Sequence, residues 1–198
     1  AACACVSTIA AMSPVITCIE DLRLLAQRRV PRMFYDYADS GSWTEGTYRA
    51  NEADFKAIEL RQRVAVNMEN RSTAVTMVGQ AAKMPVAIAP VGLTGMQHAD
   101  GEIHAAKAAE KFGIPFTLST MSICSIEDVA RHTTKPFWFQ LYVMRDRDFI
   151  DRLIGRAQDA GCSALVLTLD LQIMGQRHND LRNGLSTPPR LNLRTLLD

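Results

Sequence analysis

Five polar side chains stand at or near the ends of short apolar runs in the second half of the chain: Ser119, Gln140, Tyr142, Thr168 and Asp170. Together they offer two hydroxyls, an amide with both donor and acceptor, a phenol and a carboxylate. Such a set can hold a polar ligand and manage a proton. The runs are Val86-Ala-Ile-Ala-Pro90, Phe116-Thr-Leu-Ser-Thr120, Phe137-Trp-Phe-Gln-Leu-Tyr142 and Ala164-Leu-Val-Leu-Thr-Leu-Asp170. Gln140 and Tyr142 flank Leu141, so in a strand they share one face, which favours a common site over independent packing.

The elements that must position these groups follow from the spacing. The runs start 30, 21 and 27 residues apart. Continuous apolar strands suit a parallel sheet covered on both faces. A repeat of about 30 residues is one strand-plus-helix unit of a (β/α)8 barrel, given about 250 residues for eight, and such barrels carry their chemistry at the strand C-termini. Helices are predicted between the runs. Asp100-Gly-Glu opens one over Ile103 to Phe112 that Gly113 closes, and Ser125-Ile-Glu-Asp128 has the form of a capping box. Asp146 or Asp148 opens a third, with Phe149, Ile150, Leu153, Ile154 and Ala157 on one face and Gly161 at its end. A doubly wound open sheet would alternate in the same way, but no glycine-rich phosphate fingerprint follows any strand. The expected fold is α/β, of (β/α)8 TIM-barrel type, truncated to an N-terminal section plus about the first four βα units.

Composition narrows the partners. With 198 residues and 47% hydrophobic content, a single domain with its own core is the default. A formal charge of +1 argues against nucleic acid or an acidic membrane as an obligate partner. No run approaches the about 18 apolar residues of a membrane span. Cys3, Cys5, Cys18, Cys124 and Cys162 are odd in number and scattered, which suits a reducing compartment rather than a disulfide framework. Cys3 and Cys5 lack a second pair or nearby histidine, so no metal site is expected. His98, His104, His132 and His178 are singletons without partner spacing, and none is assigned to catalysis.

Three segments are expected. Residues 1–11, AACACVSTIAA, lack the charged start of a secretory signal and read as a non-native or disordered extension. Residues 12–83 form a section preceding the barrel. It has a helix starting at Thr17-Cys-Ile-Glu20, with Ile19, Leu22, Leu25 and Ala26 on one face, and an aromatic cluster at Phe34-Tyr-Asp-Tyr37 that reads as packing. A helix over Trp43 to Ile58 follows, then a strand pair, Arg61 to Val66 with Thr73 to Val78, turning at Asn67–Asn70. Residues 84–198 hold the first half of the barrel.

Six motifs in order make the reading more specific: Pro31-Arg-Met-Phe-Tyr-Asp-Tyr37-Ala-Asp-Ser-Gly41, Met84-Pro-Val-Ala-Ile-Ala-Pro-Val-Gly-Leu93, Phe116-Thr-Leu-Ser-Thr120, Trp138-Phe-Gln-Leu-Tyr-Val143, Leu167-Thr-Leu-Asp170, and Gly175-Gln-Arg177 with Asp180. From about residue 15 to 190 the chain resembles the FMN-dependent 2-hydroxy-acid dehydrogenase and oxidase family, which includes L-lactate dehydrogenases, glycolate oxidases and mandelate dehydrogenases. The resemblance implies FMN as cofactor, with Ala89, Pro90 and Val91 backbone and the side chains of Ser119, Gln140 and Thr168 lining the flavin. It implies that Tyr37, Tyr142 and Arg177 meet the substrate, with Tyr142 also beside the reacting hydroxyl, and that Asp170 orients a catalytic histidine.

Physical chemistry agrees with those roles. Removing a hydride from a hydroxyl-bearing carbon needs an electron sink that no side chain supplies. A 2-carboxylate needs directed donors, which tyrosine and arginine provide. Taken without the resemblance, Asp170 also reads as a cap on the following loop. Ser119 and Thr168 read as interior hydroxyls bonded to neighbouring strands, and Arg177 as a solvated loop charge.

The family's catalytic histidine, second substrate arginine, flavin-side lysine and phosphate loop are expected after Asp198, where this sequence stops. Met121 stands where plant glycolate oxidases carry tryptophan, so substrate size is not transferred. The function expected is oxidation of an L-2-hydroxy acid of lactate or glycolate type to the 2-oxo acid by hydride transfer to FMN, in a cytoplasmic or peripherally inner-membrane homo-oligomer. O2, a quinone or a cytochrome would reoxidise the flavin. The alternatives are an inactive partial barrel acting as a binding or assembly fragment and, further off, a phosphate-binding aldolase-type barrel.

Overall fold

The computed structural model describes residues 15–170, 173 and 175–185. The proposed extension at 1–11 and the segment Leu191 to Leu197 lie outside these residues. Three helices come first: α1 (Ile19–Arg29), α2 (Arg32–Ala38) and α3 (Gly46–Lys56). A hairpin of β1 (Val75–Met77) and β2 (Gln80–Ala82) follows, then α4 (Thr94–Gln97) and α5 (Gly101–Phe112). The rest alternates: β3 (Thr117–Leu118), α6 (Ile126–His132), β4 (Trp138–Tyr142), α7 (Arg147–Asp159), β5 (Ala164–Thr168) and α8 (His178–Arg182).

β3, β4 and β5 form a parallel sheet in sequence order, and an isolated parallel bridge pairs Ile88 with Phe116 on the open side of β3. The order has no reversal, so the described sheet winds in one direction, as a barrel does and a doubly wound sheet does not. The first predicted strand shrinks to that bridge. Pro85 and Pro90 bracket it, and neither has an N–H to give to a ladder.

Pairing of Leu118 with Phe139, and of Phe139 and Leu141 with Leu165 and Leu167, puts these residues on one face of the sheet. Leu118, Phe139 and Leu141 are buried there with Ile103, Ala106 and Ala109 of α5, Ile126 and Val129 of α6, and Ile150, Leu153 and Ala157 of α7. Leu165 and Leu167 stay about half exposed, because no helix among the described residues covers β5 on that side. The opposite face carries Ser119, Gln140, Tyr142 and Thr168.

The helix ends follow the predicted chemistry. Ser125 Oγ accepts from the Asp128 N–H and Asp128 reaches back to the Ser125 N–H, closing the capping box of α6. Asp146, not Asp148, caps α7 by accepting from the Phe149 N–H at 2.9 Å. Gly113 ends α5 in the left-handed conformation (φ 83°) with the Lys83 chain packed against it, a place for glycine alone.

The N-terminal section departs further from expectation. Arg61 to Val66 forms no strand. The hairpin instead turns at Val78 and Gly79, both at positive φ (48° and 77°), which matches the twist of a two-residue turn. The helix expected from Trp43 starts at Gly46, after Glu45 at φ 61°. In α1 no residue is buried: Ile19 is 84% exposed and Leu22 50%. Polar contacts hold this helix, with Arg23 donating to Asp39 at 2.8 Å while Tyr35 and Tyr48 donate to the same carboxylate.

Candidate active site

Gln140 is the hub of the sheet's polar face. It is 1% exposed in the centre of β4. Its Nε2 donates to Thr168 Oγ1 at 2.7 Å on β5. Its Oε1 accepts from Ser119 Oγ at 3.3 Å and from the Thr120 N–H at 3.1 Å, just past β3. A polar ladder therefore runs from just past the end of β3, through the middle of β4, to the last residue of β5. An amide placed there can satisfy groups on both flanks because it is donor and acceptor at once.

Around the ladder stand the other predicted groups. Tyr37 closes the last turn of α2. Its hydroxyl lies 3.7 Å, and the Met121 Cβ 3.3 Å, from where a Cβ on Gly92 would fall, so Gly92 leaves the gap between them. The Leu93 N–H donates to the Met121 carbonyl at 2.9 Å, joining the loop after the Ile88 bridge to the loop after β3. Ala89, Pro90 and Val91 line that first loop and are exposed. Tyr142 is half-buried, and its phenol is pushed up by burial first, then by Tyr37 and by the charge of Asp170. Tyr37 and Asp170 thus both act on this phenol through space. Asp170 itself is exposed, just beyond β5.

Arg177 is anchored rather than solvated. Its guanidinium lies 5.0 Å from the centroid of the Tyr37 ring and donates to the Tyr37 carbonyl, while Nε donates to Asp180 Oδ2 at 2.5 Å. Asn183 adds a bond to Asp36 at 2.7 Å, so α8 is tied to α2 beside the ladder. The histidines are engaged elsewhere. His98 and His104 meet edge to face, His132 contacts the Asp128 carbonyl, and His178 meets Trp43. Among the described residues no group of three His, Cys, Asp or Glu side chains could hold a metal ion.

The unpaired groups of the ladder are donors, which suit a ligand edge that carries acceptors, since Gln140 Oε1 already accepts two hydrogen bonds. The second Nε2 hydrogen of Gln140 and the Thr168 hydroxyl hydrogen have no partner among the described residues, and both lie on the strand-end ladder. Sequence reasoning overlooked Thr120, which bonds the Gln140 backbone and accepts from the Tyr142 N–H. It also overlooked Gly92 and the buried Glu102. A glycine directly after the Pro90-Val91 strand end was the readable signal for the first; Glu102 had none.

The family model described as FMN-dependent dehydrogenase matches residues 26–198. The chain belongs to the FMN-dependent dehydrogenase family. Within it, an L-lactate dehydrogenase of Ectopseudomonas mendocina (strain ymp) is 48% identical over 174 residues, 88% of this chain and 46% of that protein. The structure of a monotopic membrane protein, (S)-mandelate dehydrogenase, superposes with a TM-score of 0.86 at 36% identity, covering 93% of this chain and 49% of that one. A mandelate oxidase mutant with a C4a-OH-FMN adduct gives a TM-score of 0.80 at 34% identity, over 88% of this chain and 51% of the other. FMN is the cofactor of this family, and the fold is the (β/α)8 type of its structures. The chain spans about half the length of the curated relatives it matches. No helix among the described residues is long and apolar enough to cross a membrane.

Proposed function

We propose that the protein carrying this chain oxidises an L-2-hydroxy acid of lactate or glycolate type to its 2-oxo acid, with FMN as the electron acceptor. The observation that carries this reading is the Ser119–Gln140–Thr168 ladder, with Tyr142 at the end of β4 and Asp170 just beyond β5.

Bound FMN supplies the hydride acceptor. Gln140 and Thr168 offer donors, and Ser119 an oxygen, to its polar edge, with the backbone at Ala89, Pro90 and Val91 forming the adjoining wall. The Tyr37 and Tyr142 hydroxyls can donate to the substrate carboxylate, and burial pushes the Tyr142 phenol further above a value that already keeps it protonated at neutral pH. Arg177, gripped by Asp180 and stacked on Tyr37, adds positive charge on that side. Asp170 orients an imidazole that takes the hydroxyl proton, which makes that base stronger.

The alternative, a partial barrel that only binds or assembles, makes a different forecast. The protein is reconstituted with FMN and mixed anaerobically with L-lactate, glycolate or L-mandelate. Bleaching of the visible flavin band by an L-acid and not by its D-enantiomer is the expected result. Failure to retain FMN, or a bound flavin that none of these acids reduces, overturns the reading.

A further inference from the structure

Glu102, in the first turn of α5, is 2% exposed, an unusual place for a carboxylate. Its Oε1 accepts two backbone N–H groups from separate segments, Gly95 in α4 at 3.1 Å and Ile123 in the loop after β3 at 2.9 Å. Its Oε2 is buried without a hydrogen-bond partner. Burial pushes this carboxyl up, but the backbone N–H groups of Ile123 and Gly95 help to outweigh burial and hold it below the usual range. The segments it joins are as close as backbone allows. A Cβ on Gly95 would fall 2.6 Å from the Ile123 Cβ, and one on Gly101 2.9 Å from Thr94.

The joined segments lead straight to the candidate site. Gly95 follows Val91 and Gly92, and Ile123 follows Ser119 and Met121. We propose that Glu102 is a positioning residue: it sets the spacing between the loop after the Ile88 bridge and the loop after β3, and through that spacing the affinity for FMN. The proposal rests on the FMN reading above. Glu102 acts through the two loops, and its ionised oxygen suits the task because a charged acceptor bonds N–H groups more strongly than a neutral one.

The test is made on the FMN-loaded protein, reading FMN Kd by flavin fluorescence, the flavin absorption spectrum and Tm. Glu102→Ala should raise Kd at least tenfold and alter the spectrum. Glu102→Gln, which keeps a carbonyl oxygen in the same place, should recover Kd to within about threefold of wild type. Ile103→Val, a loss of packing next to it on α5, should lower Tm and leave Kd unchanged. If Glu102→Ala does not fold, Glu102→Asp carries the test: the shortened side chain should raise Kd at least fivefold. A Kd within twofold of wild type in Glu102→Ala or Glu102→Asp, with only Tm lowered, overturns the proposal while the FMN reading stands. A wild-type protein that binds no FMN overturns both.

Discussion

Gln140 on β4 donates to Thr168 on β5 across 2.7 Å, and this bond fixes which end of the amide faces each neighbouring strand. With Nε2 turned to Thr168, Oε1 is left to accept from Ser119 and Thr120. Thr168→Val keeps the shape of the side chain and removes the acceptor. A neutral hydrogen bond contributes about 0.5–1.5 kcal/mol net. A double-mutant cycle of Thr168→Val with Gln140→Leu, followed by denaturant unfolding, should show coupling of that size. Coupling near zero would mean that the amide does not depend on Thr168.

Tyr37→Phe and Tyr142→Phe each remove one hydroxyl and leave a ring. A hydrogen bond to a charged group contributes about 1.5–3 kcal/mol, or roughly ten- to a hundredfold in kcat/KM. That loss should appear in steady-state turnover of the L-acid, with bound flavin retained. Asp170→Asn should lower kcat with less effect on KM, since it weakens the base and leaves the carboxylate donors. Equal turnover in Asp170→Asn and wild type would remove Asp170 from the mechanism.

Thiol chemistry offers a pH test. Burial pushes the Cys124 thiol up to about 11, helped by the neighbouring Glu102 charge. The thiolate is the reactive form, so alkylation of Cys124 should be slow at neutral pH and accelerate with each step toward pH 11. Peptide mass spectrometry after iodoacetamide treatment should find the exposed Cys18 labelled well before Cys124 at pH 8. Glu102→Gln removes a charge that opposes ionisation, so it should speed labelling of Cys124.

The apolar face predicts the largest stability loss. Phe139 is 1% exposed among α5, α6 and α7 residues, and Leu118 is fully buried beside it. Phe139→Ala should cost about 3–5 kcal/mol and Leu118→Ala about 2–5 kcal/mol in denaturant unfolding. A cost under 1 kcal/mol at Phe139 would mean that the helices do not close over β4.

The strand-and-helix repeat of the fold was legible, because short continuous apolar runs and capping residues are local signals. Gln140, Leu141 and Tyr142 told their two faces by position alone, and Ser125, Asp128 and Asp146 marked helix starts. What failed depended on neighbours far along the chain. Ile19 and Leu22 have a helical stripe, yet no described element packs over it. The hairpin turn was hidden because Val78 takes a positive φ that glycine or asparagine usually fills. Glu102 looked like an ordinary first-turn acid; its burial arises only when α4 and the loop after β3 fold onto it. Without the family resemblance Arg177 read as a loop charge, because its partner Tyr37 is 140 residues away.

The order of the parallel strands also bears on how the chain reaches this state. β3 touches β4 and β4 touches β5, each next in sequence with one helix between them. Every new strand therefore finds its partner within a single short closure, and the entropy cost of closing a loop grows with its length. Such a sheet has a low contact order for a parallel fold, and topology of that kind speeds folding. A ribosome releasing the chain from its N-terminus delivers β3 before β4 and β4 before β5, so each unit docks on a template that is already in place.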